Sequence, residues 1–557
     1  MLARLLFVVL LFIGATTMPA AAQQVLSDDL SIREALTLPS DGGQRPVRLV
    51  TNPVTNTLFV LMTTGQIYEI TPMRGGRWFD LELQYTEDDH DIERPAGLVF
   101  DADGTLYLLG NNDGEDNTTV GVLKRAILTG ADDVERTWTT AMTTEVYRLS
   151  RTWFDHRMNG LTISPDGSTL YMNSGSRTDH GEMYGGIREE GLTAVILRIP
   201  SDATELVLPN DRDALRTAGY LYAEGTRNHY DLAFAPNGDL LGTENAGDRD
   251  DNEELNWLRE GRHYGFPWQI GDSQTPQQAV PYNPANDPFV QPDRNTNNVS
   301  DIGWYFSEDP TFPAPPAGVT FTGPIRNIGP DGDKYRTPSG ALRDASDEGT
   351  SVGTFTGHRS PLGLTFDADS IFAEPYRGHA FMFSWTDGDG DLLGRLGGDG
   401  QDLLMLDLDK QSGSYTLSAT QLAVGFQNPI DAAMLDGKLY VVEYGSRRGV
   451  FEIQFPLGSA TSIDDETPLP ARATLEANYP NPFAANTTIR YSLPEPTSVH
   501  LVVYDGLGRE VRTILNTTQA AGHWAVPFDG SGLENGLYHL RLITPQGLST
   551  RTMHLVR

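Results

Sequence analysis

RPAGLVFDADGTLYLL, from Arg94 to Leu109, contains a polar start, a short apolar run, an Asp-Gly turn and a second apolar run. Asp-Gly adopts the tight turns that join antiparallel strands, so the stretch reads as a hairpin. The pattern recurs as RPVRLVTNPVTNTLFV from Arg45, RMNGLTISPDGSTLYM from Arg157 and RNHYDLAFAPNGDLLG from Arg227. Looser copies are RSPLGLTFDADSIFAE from Arg359 and QNPIDAAMLDGKLYVV from Gln427. The intervals run from 49 to 132 residues, and a four-stranded blade needs about 40–50. Six irregularly spaced units without capping repeats close a ring more readily than they stack. The expected fold is all-β, a six-bladed β-propeller over residues 30–456.

Both ends of the chain differ from this middle. Met1 to Arg4 give a positive start, Leu5 to Ile13 an apolar run and Ala20-Ala21-Ala22 a small-residue site, which together read as a signal peptide over 1–22. No other run reaches about 18 apolar residues, so no membrane span is expected after signal cleavage. Residues 457–472, LGSATSIDDETPLPAR, lack strand alternation and are expected to be a linker. From 473 to 557, short alternating runs such as VHLVVYD and GLYHLRLIT are split by turn residues, which predicts a small Ig-like β-sandwich.

Composition removes several classes of function. The 557 residues include no cysteine, which excludes disulfide scaffolds, thiol catalysis and cysteine-ligated metals. The formal charge of -34 disfavours nucleic acid as a partner. Residues 473–557 hold six acids and six bases, so all of the negative excess lies upstream. Only Lys124, Lys334, Lys410 and Lys438 are lysines, and a lysine-poor, acid-rich chain suits concentrated salt.

The repeat has a chemical consequence. With equivalent positions at one end of the ring, Arg45, Arg94, Arg157, Arg227 and Arg359 surround one mouth of the channel. They form either a cationic ring for an anionic ligand or ion pairs that seal neighbouring units. Asp155-His156-Arg157 and His358-Arg359 add histidines, the usual general bases near neutrality. The loop from Thr243 to Trp268 places Asp248, Asp250, Asp251, Glu253 and Glu254 within seven residues, hard ligands suited to Ca²⁺ or else a solvated acidic loop. A second acidic loop holds Asp387, Asp389 and Asp391. Residues 270–350, rich in Pro, Asn, Asp and Gly, are expected to form a functional or lid loop.

Two resemblances follow from these residues. NYPNPF (Asn478 to Phe483), VVYDGLGREV (Val502 to Val511) and GLYHLRL (Gly536 to Leu542) resemble the C-terminal sorting domain of type IX secretion substrates. That resemblance implies the type IX machinery as partner, export through the periplasm, and a secreted or cell-surface protein. FDHRMNGLTISPDG, GTRNHYDLAFAPNGDLLGTENAG, EELNWLREGRHYGFPW and HRSPLGLTFDADSIFAEPYRG resemble the glucose/sorbosone dehydrogenase family over about 45–456. This second resemblance implies a quinone-dependent sugar dehydrogenase using pyrroloquinoline quinone and Ca²⁺ on an aldose. It implies His156 as general base assisted by Asp155, with Arg227 and Asn228 at the quinone and the reacting carbon. Ala246 and Gly247 would carry the cofactor calcium, and Glu254 with Tyr264 a second calcium. Cofactor carboxylates would depend on Arg359, His358, Arg45 or Arg94, because the last repeat opens on Gln427-Asn428 without a base. The alternative is a non-catalytic extracellular propeller that binds polysaccharide, protein or another anionic ligand. A lactonase-type propeller would instead need inward acids on a central Ca²⁺.

Overall fold

The structure is a computed structural model that describes residues 23–556 except 74–78, 130–135, 151, 153, 279–280, 291–308, 387–395, 397–399, 459–460, 464–471, 477, 484–485, 520 and 546. The expected signal peptide and the acids Asp387, Asp389 and Asp391 lie outside the described residues.

Each of the six repeats forms an antiparallel hairpin that opens a sheet. The first strands are Pro46–Asn52, Arg94–Phe100, Met158–Ile163, His229–Phe234, Pro361–Phe366 and Pro429–Leu435. In the fifth repeat the second strand is Ala380–Ser384 rather than the IFAE run, because Asp367 binds the amides of Ile371, Phe372 and Gly378 and holds the intervening segment as a loop. The six first strands contact one another in sequence order, and the last returns to the first. Second strands are buried on both faces between neighbouring sheets; Thr57–Met62, TLFVLM, is buried at every position. Cores form where sheets meet, as where Leu109 and Leu123 of one sheet pack with Leu161 and Met172 of the next. Ser31–Thr37 pairs with Gly449–Gln454 as the outer strand of the last sheet, so both ends of this unit share one set of backbone hydrogen bonds.

The ring's axis is set at a single repeat position, which carries Arg48, Gly97, Gly160, Asp231, Gly363 and Asp431 in turn. Arg48 is buried and donates to the carbonyls of Ala96 (2.8 Å), Asn159 (3.2 Å) and Tyr230. Its guanidinium faces Asp231 at 3.5 Å and Asp431 at 4.0 Å. Asp231 in turn accepts from the Leu364 amide (2.7 Å) and Asp431 from the Leu49 amide (2.8 Å), so the cluster touches all six first strands. The glycines make room: a Cβ on Gly160 would sit 2.7 Å from the His229 carbonyl, and one on Gly97 2.8 Å from the Asn159 carbonyl.

Thr461–Ile463, Thr474–Leu475, Asn486–Leu493 and Gly522–Asp529 form one four-stranded sheet, and four strands between Thr497 and Leu555 form another. Ile489, Leu501, Val526, Leu540 and Met553 share one core between them. Thr461–Ile463 pairs with His523–Ala525, so part of the segment expected as linker is a strand of this unit. An Arg490 to Asp369 ion pair joins the unit to the turn end of the ring, beside a cavity of about 630 Å³.

Removing Arg48 leaves two carboxylates buried without their cation. Arg48→Met is expected to cost about 3–5 kcal/mol in denaturant unfolding, against at most about 1 kcal/mol for Arg94→Gln, whose side chain is 59% exposed. Burial pushes Asp231 up to about 6 and Asp431 up to about 7. The folded chain therefore holds protons there that the unfolded chain releases, and this contribution to stability is lost as pH rises through about 6–7. Asp431→Asn should gain stability on the parent between pH 5 and 8 in melting experiments; a pH-independent difference would contradict the assignment.

Candidate functional site

The loops that lead into the first strands bring the expected residues to one end of the ring. The backbone N–H of His156 donates to the carbonyls of Phe154 (2.8 Å) and Ser176 (2.9 Å), and ring Nδ1 lies 3.4 Å from Ser176 Oγ. Gly175 permits this approach, since a Cβ there would lie 2.4 Å from His156 Cβ and 3.2 Å from the Arg227 carbonyl. Arg227 is buried and donates from Nε to the Asp179 carbonyl (3.0 Å), from Nη1 to the Asn245 carbonyl (3.0 Å) and from Nη2 to Asp179 Oδ1 (2.7 Å). Asn228 Oδ1 accepts from Asn159 Nδ2, whose Oδ1 accepts from Asn173 Nδ2, both at 2.7 Å. Asn173 Oδ1 is buried without a partner.

Burial, and then the Arg227 charge, pull His156 down to about 3, so its imidazole is neutral; Asp179 opposes that shift. Asp155, expected to assist it, accepts the Ser150 amide on its Oδ1 at 2.6 Å. Neighbours in sequence face different ways, and the carboxylate whose charge acts on His156 is Asp179, from the loop after the second strand of the same hairpin. Asp179 is fully buried, pairs with His180 Nδ1 at 2.5 Å, and receives the Asp248 amide at 3.3 Å. Burial works to raise it, but His180 and Arg227 hold it below the usual carboxylate range. Burial works to lower His180, yet Asp179 and then Asp251, 3.3 Å from Nε2, raise it to about 9. Sequence reading passed over Asp179, His180 and Glu182, although SRTDHGE follows the third hairpin much as TENAGD follows the fourth.

The acidic loop is a network of matched charges. Asp251 pairs with Arg249 (2.9 Å), which also reaches Asp287 (2.8 Å). Asp250 binds His358 Nε2 (2.8 Å) and Arg336, the latter from the hairpin of Lys334–Arg336 and Leu342–Asp344 inside the expected lid region. Ala246 gives its amide to Glu253 Oε2 at 2.5 Å. Gly247 packs on the ion pair, where a Cβ would lie 2.4 Å from His180 Cε1. Asp248 Oδ2 is buried without a hydrogen-bond partner, and burial followed by the Asp179 charge pushes that carboxyl up to about 7. Glu254 accepts from Asn256 (2.8 Å) and Gly271 (2.6 Å), while the Tyr264 hydroxyl donates to Trp257 and accepts from the Arg259 amide. The polar groups expected to build a second calcium site are thus occupied by protein partners.

The arginines form no open cationic ring. Arg94 and Arg157 share Asp113 (2.6 and 3.3 Å), Arg227 has Asp179, and fully buried Arg359 has Asp402 at 2.5 Å. Of the five, Arg45 is the one without an acid at ion-pair distance among the described residues, and its Nη1 is buried with no hydrogen-bond partner.

Residues 96–312 match the family model of Glucose / Sorbosone dehydrogenase, and residues 477–555 match the Secretion system C-terminal sorting domain, the two families the sequence resembles. The sorting domain indicates export. Quinoprotein glucose dehydrogenase B of Acinetobacter calcoaceticus is 23% identical over 246 residues, covering 40% of this chain and 50% of that protein. The chain thus matches about half the length of that relative. Among solved structures, the soluble aldose sugar dehydrogenase of Escherichia coli in its apo-form is 14% identical, with 76% of this chain and 99% of that one covered and a TM-score of 0.47. The PQQ domain of pyranose dehydrogenase from Coprinopsis cinerea is 13% identical, covering 78% and 98%, with a TM-score of 0.48. No helix among the described residues is long and apolar enough to cross a membrane.

The two implied cofactors fit the mouth unequally. The buried, unpartnered Asp248 Oδ2 beside Ala246 and Gly247 suits a hard cation bound mainly through carbonyls. No cluster of three metal-ligating side chains occurs among the described residues. A tricarboxylate quinone meets fewer open cations, because Arg94, Arg359 and His358 are each held by an acid, which leaves Arg45 of the four expected groups. Titrated by NMR, His156 should stay neutral above about pH 4 while His180 stays charged to about pH 9. Asp179→Asn should lower the His180 value by removing its main anionic partner; an unshifted His180 would overturn this network.

Proposed function

We propose that the chain is an exported sugar dehydrogenase, a six-bladed β-propeller over residues 30–456 followed by an Ig-like sorting domain over 473–557. One observation carries the reading: a neutral His156, seated against Gly175, lies beside the Arg227 to Asp179 pair at the open end of the ring. A sugar hydroxyl delivered to this ring would give its proton to the imidazole nitrogen that does not face Ser176. The Arg227 guanidinium favours the alkoxide that develops, and the Asn228 and Asn159 amides supply hydrogen bonds for neighbouring hydroxyls. His156 needs no prior deprotonation at neutral pH. Its low basicity confines it to a hydroxyl that its surroundings already polarise.

Ca²⁺ at Ala246 and Gly247 would supply that polarisation, with Asp248 relieved of its unmatched buried oxygen. Pyrroloquinoline quinone is the hydride acceptor the family resemblance implies. Its carboxylates meet cations already matched by acids, so the proposal stops at the proton. The second reading, a non-catalytic extracellular propeller that binds polysaccharide, protein or another ligand without turnover, is favoured by the last repeat's opening on Gln427-Asn428 without a base.

The deciding experiment titrates the purified protein with quinone and Ca²⁺ and follows dye reduction with aldoses. Saturable oxidation is expected, with His156→Ala lowering kcat about 10²–10⁴-fold; absence of both quinone absorbance after gel filtration and turnover would leave the second reading. Deletion of 473–557 is expected to retain the protein inside the cell envelope, and unchanged release into the medium would contradict the sorting role.

A further inference from the structure

At the open end of the ring, Trp385 and Tyr444 make a half-buried aromatic pair with centroids 4.8 Å apart and planes at 59°. Asn428 clamps them from the start of the last repeat: its Nδ2 donates to the Trp385 carbonyl (3.1 Å) and its carbonyl accepts the Tyr444 amide (2.9 Å). The Arg45 guanidinium carbon lies 5.7 Å from the Tyr444 ring centroid, and Arg45 Nη1 is buried without a hydrogen-bond partner. Arg45 is half-buried and has no acid partner among the described residues, and a ligand carboxylate is the group that answers such a guanidinium best.

We infer that Trp385, Tyr444 and Arg45 form a subsite for a sugar bearing one carboxylate, a uronate. The inference rests on the reading that this mouth takes a sugar, and it names the class. The two rings pack against each other, so they present one half-buried aromatic surface beside Arg45, on which the C–H face of a pyranose can lie. Charge favours an anion at this place: of the five repeat arginines, the other four reach Asp113, Asp179 or Asp402, while Arg45 has no acid at ion-pair distance among the described residues. The -34 background makes that single cation a strong discriminator, because an anion placed elsewhere on this surface is repelled.

The test is calorimetric titration of the full chain with D-glucuronate, its neutral methyl ester and D-glucose, alongside tryptophan fluorescence. Glucuronate is expected to bind about tenfold or more tightly than the ester or glucose, with a fluorescence change that Trp385→Phe diminishes. Arg45→Gln should bring all three ligands to the same affinity. Equal binding of glucuronate and its ester by the parent protein would overturn the proposal without any variant, as would a preference unaltered in Arg45→Gln or no binding of glucuronate. Binding of uronate without oxidation would leave this subsite standing and remove the dehydrogenase reading. Oxidation of neutral aldoses with no uronate preference would do the reverse.

Discussion

Arg48 is the interaction on which the ring depends. A closed set of sheets leaves the ends of its first strands facing a narrow axis, where backbone carbonyls would otherwise meet one another. One guanidinium spans that axis, with carbonyls from three strands, a carboxylate from the last of those three and another from the sixth strand, and the two carboxylates carry the contact on to the amides of Leu364 on the fifth strand and Leu49 on the first. Such a cluster stabilises little on net balance, since desolvation offsets much of the attraction. Its effect is on register: sliding any first strand by one residue would turn Arg48 or an acid away from the axis and put a side chain where a glycine must be.

The mouth is organised by the same economy of charge. Asp179 holds Arg227, His180 and the Asp248 amide at once, so these three are positioned by one carboxylate. Nearly every cation there is already matched, and the buried polar atoms without a hydrogen-bond partner include Arg45 Nη1, Asn173 Oδ1 and Asp248 Oδ2. These atoms distinguish this mouth from a generally cationic pocket.

At the opposite end, the turns of the hairpins face the C-terminal sandwich across a cavity, with Arg490 and Asp369 as the charged contact. The near-neutral sandwich thus meets an acidic ring through one of its few bases. The two units remain separate in core: Ile489, Leu501, Leu540 and Met553 pack only among themselves.

Local pattern was enough for the repeat, the order of the hairpins and the alternating C-terminal unit, because hairpin turns and strand alternation are local and period two is visible within a few residues. It also put His156 and Arg227 at the starts of the third and fourth repeats. Which charges meet was settled in three dimensions alone. Asp155 adjoins His156 in sequence but turns to Ser150, while Asp179 arrives from the far end of the same hairpin; Arg48 matters through Asp231 and Asp431, more than 180 and 380 residues away. Electrostatic partners depend on separation in space and on burial, and neither is written in the spacing of residues along the chain.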